Sequence, residues 1–323
     1  MTTVLPALIA AMTEAPVPVP EPTETALRFY RSGLVIWWVH QAIIIVVPAA
    51  IALTGLSARM RTVARFLGRN WLITVGIYGA LYVILNGLIT LPWAYYTGYA
   101  RPTAYGLTPE TYTVPRWLGD ESRLIVVNAA IAAALLWMPY LALKARPRAW
   151  PWAVTIGYVP VAFALAFLAP IVVDPLFNSF GPMQDKRLEA KILAMADRAG
   201  IEGSHIFEAD KSERTTAVNA YVKGFLGTKR IVLYDTLVAK LPERQVLFVV
   251  GHEMGHYVLR HVAKAVALGT VGVLALSLLL RRLMAAAIRR FGARMHIHSP
   301  ADVASLPLAL ALGNLIVLIG SPI

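Results

Sequence analysis

Six stretches of this 323-residue chain are long and apolar enough to cross a lipid bilayer, and they limit its fold more than any other feature. A crossing helix needs about 20 mostly apolar residues. In lipid the backbone must satisfy its own hydrogen bonds, which favours helices. The stretches run approximately over residues 33–54, 71–96, 124–143, 152–173, 265–280 and 304–319. The sequence therefore predicts a mainly α, polytopic membrane protein.

Composition and charge agree with this interpretation. The chain is 58% hydrophobic and only 15% charged, whereas soluble domains are about 25% charged. The net charge of +12 would fit a nucleic-acid-binding protein if the basic residues formed one surface, but they do not. Twelve of them occupy three segments that contain no acidic residue: Arg59, Arg61, Arg65 and Arg69; Lys144, Arg146 and Arg148; and Arg281, Arg282, Arg289, Arg290 and Arg294. We therefore predict a lipid bilayer, and no nucleic acid, as the partner.

The basic segments also predict an orientation. They follow the first, third and fifth apolar stretches, so all three can lie on the cytoplasmic side, as the positive-inside rule requires. The polar region between the fourth and fifth stretches would then lie on the non-cytoplasmic side. We expect a multi-pass protein of the bacterial cytoplasmic membrane.

The order of polar and apolar segments predicts four parts. Residues 1–32 are rich in proline and are expected to form a disordered leader. Residues 33–173 form an N-terminal membrane domain of four spans. Residues 174–263 form a small α+β domain, and residues 264–323 form a C-terminal membrane region of two spans.

Within the α+β domain, the residue pattern predicts one helix, three strands and a final helix. Apolar residues recur at helical spacing over 184–199. Residues 204–209 read as a strand, and 218–223 and 229–234 as two strands joined by a hairpin turn over 224–228. Pro242 fits the first turn of the last helix.

That last helix carries the motif His-Glu-Met-Gly-His. On a helix His252 and His256 are four residues apart, so both rings project from one face and can share a metal ion. Neutral imidazoles bind Zn²⁺, and Glu253 is placed to take a proton from a water. We predict His252 and His256 as ligands of one Zn²⁺ per chain and Glu253 as the catalytic general base. The alternative is two solvated histidines on a helix next to the membrane.

The residues around the motif resemble the type I CAAX prenyl protease family of integral-membrane zinc metalloproteases. Four segments carry the resemblance, in the family's order: Asp-Pro-Leu-Phe-Asn at 174–178, Asn-Ala-Tyr at 219–221, the segment 228–237, and Val-Gly-His-Glu-Met-Gly-His at 250–256. The resemblance implies membrane helices around a chamber, with the zinc site facing inward, and a peptide or protein substrate.

The resemblance also assigns a role to the Asn-Ala-Tyr segment. In the family this strand lies beside the zinc site and can pair with an extended substrate. Asn219 and Tyr221 are therefore predicted to bind substrate. The alternative is an ordinary hairpin strand in which Asn219 satisfies a turn.

The sequence departs from the family at the third zinc ligand. The resemblance places this ligand in a Glu-x-x-x-Asp segment after the sixth span. Here no glutamate follows Glu253, and Asp302 is the single later acidic residue. Histidines 261, 296 and 298 are possible substitutes, but we expect His261 to point to another helix face and the other two to lie across the membrane. We expect an incomplete family member with reduced zinc affinity.

Two functions remain open at the sequence level. The first is a membrane-embedded zinc metalloendopeptidase that hydrolyses peptide bonds by metal-activated water. The second is a catalytically degenerate or truncated relative that acts as a non-enzymatic membrane binding or scaffold protein. A transporter would account for the spans but not for the metal motif.

Overall fold

A computed structural model describes residues 21–201, 205–223 and 229–321. The helices are α1 (Glu24–Leu53), α2 (Leu56–Leu67), α3 (Trp71–Ala104), α4 (Val114–Ala145), α5 (Trp150–Leu168), α6 (Lys186–Arg198), α7 (Asp235–Lys240), α8 (Glu243–Val258), α9 (His261–Met295) and α10 (Leu306–Gly320). The strands are β1 (Phe180–Pro182), β2 (His205–Ala209), β3 (Ala220–Lys223) and β4 (Arg230–Tyr234). Internal contacts divide the chain into residues 1–38 and 39–323, and α1 belongs to both units.

Six of the described helical segments are long and apolar enough to cross a membrane, which confirms the predicted number. They are α1, α3, α4, α5, α9 and the segment Val303–Gly320, in which a short 3-10 turn leads into α10. The protein is therefore a multi-pass integral membrane protein.

Two predicted boundaries are wrong. Helix α1 begins at Glu24, so the last residues assigned to the leader are helical; residues 1–20 lie outside the described part. The fifth stretch was predicted over residues 265–280, but helix α9 has 35 residues, or about 52 Å at 1.5 Å per residue, and includes the basic segment that follows that stretch. A membrane helix can continue past the apolar layer where it carries arginines, because their long side chains keep the charged groups in water.

The three basic segments meet on one side, as their spacing predicts. The contacts are Arg61 with Asp302, the Arg281 Nη1 with the carbonyl of Arg148 at 2.5 Å, and the Arg294 Nε with the carbonyl of Leu53 at 3.2 Å. Buried hydroxyls join the same region, since Ser57 donates to the carbonyl of Ala304 at 2.5 Å. These contacts therefore place the three basic segments together at one end of the membrane spans.

Close packing of α3 against α4 depends on small residues. A Cβ at Gly76 would lie 3.0 Å from the carbonyl oxygen of Ala133, and one at Gly79 would lie 3.2 Å from that of Ala132. Lipid tails are as apolar as helix side chains, so the burial of apolar surface does not drive helices together in a bilayer. Helices associate there through close backbone packing, which small residues allow.

The α+β domain contains a four-stranded sheet in the order β1-β2-β4-β3. Strand β4 pairs parallel with β2 and antiparallel with β3, in the register Tyr221 opposite Val232. The predicted strands are confirmed, apart from the turn over 224–228, which lies outside the described residues. Strand β1 and helix α7 were not predicted; β1 has only three residues, too few to show a period.

One apolar core holds the domain together. Helices α6 and α8 pack on the sheet with these buried residues: Leu188, Ile192 and Ala196 of α6; Val246, Val250 and Met254 of α8; and Ile206, Ala220, Ile231 and Leu233 of the strands. Helix α6 begins where Asp185 accepts hydrogen bonds from the N–H groups of Arg187 and Leu188, as an N-cap does. The core fixes the rotation of α8 about its own axis.

Candidate metal centre

Helix α8 presents its two histidines opposite its buried face. Val246, Val250 and Met254 recur every four residues and are buried. His252 lies two residues after Val250, which is about 200° around a helix. The same relation holds between Met254 and His256. Both histidines are therefore exposed, and Glu253 is partly exposed between the two faces.

The three side chains of the motif converge. The Nε2 atoms of His252 and His256 are 3.1 Å apart. One ligand atom from each of His252, Glu253 and His256 lies within 4.8 Å of the other two. The structure brings together all three residues predicted from the motif.

This donor set fits a metal ion. Two nitrogens at about 2.0–2.1 Å from a tetrahedral ion would be about 3.3–3.4 Å apart. The observed 3.1 Å is close to that value without any movement of the helix. Two imidazoles with an adjacent carboxylate are also the donor types that borderline divalent metals prefer.

The expectation for His261 is wrong. On a continuous helix it would lie about 140° around from His256. Instead the chain breaks between α8 and α9 at Arg260, which has the left-handed values φ 54° and ψ 40°. The break turns His261 back, and its Nδ1 lies 2.7 Å from the Nδ1 of His256.

The other proposed substitutes lie away from the centre. The carbonyl of His296 accepts a hydrogen bond from Arg61, and the Asp302 carboxylate pairs with the same arginine. His296 and Asp302 therefore lie beside the basic segments, as expected for His296. His298 lies in the same turn. Among the described residues, the metal cluster contains no carboxylate besides Glu253.

Asn219 and Tyr221 lie at an edge of the sheet. The Asn219 side chain accepts from the N–H of Ala220 at 2.9 Å, and its carbonyl accepts from Tyr234 at 3.0 Å. The Tyr221 side chain projects from the face opposite Ala220 and contacts Tyr234 edge-on. Burial, with the nearby Asp174 charge, raises the pKa of Tyr221, so its hydroxyl stays protonated.

A cavity of about 630 Å³ adjoins the metal cluster. Strand β3 contributes Val222 and Lys223, α8 contributes His256 and Tyr257, and the break contributes Arg260. Most of the other lining residues are small and apolar: Ala166, Ala169, Ala199, Gly200, Val258, Val262 and Ala263. The edge strand and a predicted metal ligand thus face one space.

Two family models match successive parts of the chain. Residues 28–179 match the one described as "CAAX prenyl protease N-terminal, five membrane helices", and residues 182–319 match "Peptidase family M48". Between residues 28 and 179 the structure has four helices of crossing length and the shorter α2. Together the two models cover nearly the whole span from residue 28 to residue 319, and the chain belongs to peptidase family M48.

Individual relatives agree. The uncharacterized metalloprotease YhfN of Bacillus subtilis is 36% identical over 250 residues, which are 75% of this chain and 56% of that protein. CAAX prenyl protease 1 of Saccharomyces cerevisiae is 31% identical over 56% of this chain and 40% of its own length. The crystal structure of S. mikatae Ste24p aligns with a TM-score of 0.62 and 25% identity, covering 71% of this chain and 54% of that one. This chain spans about half the length of these relatives.

Two features of the site were not apparent from the sequence. The position of His261 depends on one left-handed residue, and an arginine gives no signal for that conformation. The ion pair between Lys223 and Asp174, at 3.2 Å, joins residues 49 positions apart. It ties β3 to the end of the fourth membrane span.

Proposed function

We propose that this protein is a membrane-embedded zinc metalloendopeptidase that hydrolyses peptide bonds. The observation that carries the proposal is the convergence of His252, Glu253 and His256 on the exposed face of α8. Membership of a peptidase family, matched over residues 182–319, also supports it.

Each residue of the motif has a role that its position supports. His252 and His256 would hold Zn²⁺ through their Nε2 atoms. When bound, zinc lowers the pKa of a water molecule and polarises a substrate carbonyl. Glu253 lies within 4.8 Å of both ligands, where its carboxylate would accept the proton of the attacking water and return it to the leaving amine.

Strand β3 would bind the substrate backbone. Within the described residues it forms the edge of the sheet next to β4. The bond between Tyr234 and Asn219 marks a hydrogen-bonded pair. Pairs alternate in an antiparallel ladder, so the N–H and C=O of Val222 point to the open edge. An extended peptide pairing there would enter the cavity that His256 lines.

Asn219 and Tyr221 would limit and support this strand. The Asn219 side chain already occupies the N–H of Ala220, so the pairing edge begins at Val222. Tyr221, with a protonated hydroxyl on the face away from the core, is placed to hydrogen-bond a substrate. The substrate would be a peptide or protein with an apolar segment, because the cavity is mostly apolar. CAAX processing is consistent with this lining and with the names of the relatives.

The ligand set needs one further member. Catalytic zinc sites use three protein ligands, and the described residues bring two histidines and the Glu253 base to the centre. We expect His252 and His256 alone to hold zinc weakly, and a third protein ligand to raise both the zinc affinity and the rate of peptide hydrolysis.

The test is Glu253→Gln. Hydrolysis of a quenched fluorescent peptide should fall by about 10²–10⁴ because the general base is lost, while bound zinc is unchanged. Glu243→Gln is the matched control, since Glu243 lies at the other end of α8 and pairs with Lys191 and Arg187. Peptide binding without Glu253-dependent hydrolysis would instead indicate a non-enzymatic binding protein.

A further inference from the structure

His256 is held from two directions. Its Nε2 faces the Nε2 of His252 at 3.1 Å, and its Nδ1 faces the Nδ1 of His261 at 2.7 Å. The rings of His256 and His261 have centroids 4.8 Å apart and meet nearly edge to face, at 71°. His261 thus lies on the side of His256 away from His252.

The position of the proton on His256 follows from metal binding. A neutral imidazole has one N–H and one lone pair. If Nε2 gives its lone pair to a metal, the proton is on Nδ1, and Nδ1 must donate. The Nδ1 of His261 is then the acceptor, and the His261 proton is on its own Nε2.

We propose that His261 is a positioning residue that fixes the tautomer and ring orientation of the metal ligand His256. The proposal rests on the proposed function, because it takes His256 as a ligand. Metal-binding histidines commonly donate their second N–H to a partner, and loss of that partner typically weakens metal binding 10–100-fold. The partner that accepts this hydrogen bond is usually a carboxylate or a backbone carbonyl, but here it is the imidazole of His261.

The chain break explains how a residue so close in sequence reaches this position. His261 begins α9, and the preceding Arg260 adopts the left-handed conformation. This single residue reverses the rotation that a continuous helix would give. The positioning contact and the start of the fifth membrane span are therefore built by the same turn.

Two substitutions separate positioning from other roles. His261→Leu retains apolar bulk but removes the acceptor. His261→Asn places a carbonyl oxygen near the former Nδ1, where it accepts a hydrogen bond but ligates zinc poorly. Zinc affinity of the purified 323-residue chain, measured by competition with a chromophoric chelator, should fall about 10–100-fold for His261→Leu and stay near wild type for His261→Asn.

Other results would overturn the proposal. Equal loss in both variants would make His261 a direct ligand, and no loss in either would make it a packing residue. With Co²⁺ in place of zinc, the absorption spectrum should show the same ligand number in wild type and His261→Asn. Melting temperatures of the apo forms check that both variants fold.

A control separates this proposal from the proposed function. His252→Ala should abolish zinc binding in the same assay. If His252→Ala binds zinc as wild type does, the metal centre itself is wrong. If His252→Ala loses zinc while His261→Leu does not, the centre stands and the role of His261 fails.

Discussion

Single residues in this protein act mainly through what they hold in place. His252 and His256 are predictable from sequence because helical geometry alone puts residues four apart on one face. His261 is not, because its position depends on the backbone of Arg260. Asn219 and Tyr221 remain predicted substrate contacts, and their locations at the edge of the sheet are compatible with that role.

Asp235 shows a residue-scale contribution to stability that depends on pH. Its Oδ1 accepts from the N–H groups of Lys211, Ser212 and Thr236 at 2.8–3.0 Å. Burial alone would raise its pKa, but these hydrogen bonds outweigh burial and lower the pKa below the ordinary value. The carboxylate thus anchors the segment after β2 to the start of α7.

We predict that Asp235→Asn lowers the unfolding free energy by about 1–2 kcal/mol at pH 7, because hydrogen bonds to a charged group are weakened and solvent screens part of the effect. A depressed folded-state pKa stabilises the fold above the unfolded value, about 3.9, and this is lost as the pH falls through the folded value. Thermal unfolding in detergent should therefore show a wild-type advantage at pH 7 that shrinks below about pH 4.

Asp197→Asn is the matched control, since Asp197 is exposed on α6 and its side chain makes no hydrogen bond within the described residues. It should leave the unfolding temperature unchanged across the same pH range. A constant difference for Asp235→Asn at all pH values would rule out the charged hydrogen bonds as its cause.

At the scale of elements, periodicity predicted most of the α+β domain. Helix α6 and strands β2, β3 and β4 lie within a few residues of their predicted positions. The residue pattern does not reveal the break at Arg260, where α8 has ended and the fifth membrane span is about to begin. Apolar residues on both sides of Arg260 hide the break, since a pattern of hydrophobicity does not report backbone handedness.

The break itself is testable. A left-handed conformation costs a non-glycine residue about 1–2 kcal/mol, whereas glycine adopts it freely but loses more entropy on folding. Arg260→Gly should therefore keep the zinc affinity and raise the unfolding free energy by up to about 1 kcal/mol. Thermal unfolding and chelator competition measure the two quantities.

Arg260→Val provides the contrast, because a β-branched residue is strongly disfavoured in the left-handed region. It should lower both the melting temperature and the zinc affinity. Equal zinc affinity in the glycine and valine variants would show that the turn does not position His261.

The open edge of β3 gives a second element-scale prediction. Val222→Pro removes an N–H that points away from β4, and proline is tolerated at such edge positions. We expect kcat/KM for peptide hydrolysis to fall at least about tenfold, mainly through KM, as a lost backbone hydrogen bond of about 1.4 kcal/mol implies. The assay is the peptide cleavage used for Glu253.

The corresponding proline one residue earlier tests the register. Tyr221 belongs to a hydrogen-bonded pair with Val232, so Tyr221→Pro should break the ladder and lower the melting temperature, whereas Val222→Pro should change it little. If the two variants destabilise equally, the assignment of Val222 to the open edge is wrong.

At the scale of the molecule, polar contacts within residues 39–323 join the membrane helices to the α+β domain. Asp120, near the start of α4, pairs with Arg214 at 2.8 Å and accepts from the Tyr112 hydroxyl at 3.0 Å. The N–H of Thr216 donates to the carbonyl of Leu107 at 3.0 Å. The loop between the second and third spans is thus tied to the domain that carries the metal motif.

Polar contacts also show which loops lie at the same end of the membrane spans. The loop over residues 105–113 belongs with the α+β domain, and the basic segments belong together at the opposite ends of the spans. The predicted orientation, with the α+β domain on the non-cytoplasmic side, stays a prediction. The chain has no cysteine, so single introduced cysteines report on it directly.

We expect Ser212→Cys to react with a membrane-impermeant maleimide in intact cells, and Ser299→Cys to react only after the cells are opened. Both serines are exposed, and they lie in the domain and in the basic turn after α9. The reverse labelling would invert the orientation. Labelling of both in intact cells would contradict the sorting by side.

The sequence by itself determined the number of membrane spans, the helical face shared by His252 and His256, and the positions of β2, β3 and β4 along the chain. These features depend on the apolar length and side-chain periodicity of each segment, which can be read without knowing what the segment contacts. Only the tertiary structure decided that β3 is the edge strand, that Lys223 meets Asp174, and that His261 turns back to His256. Such contacts depend on sheet order, on pairs distant in sequence and on one backbone conformation, none of which leaves a periodic signal.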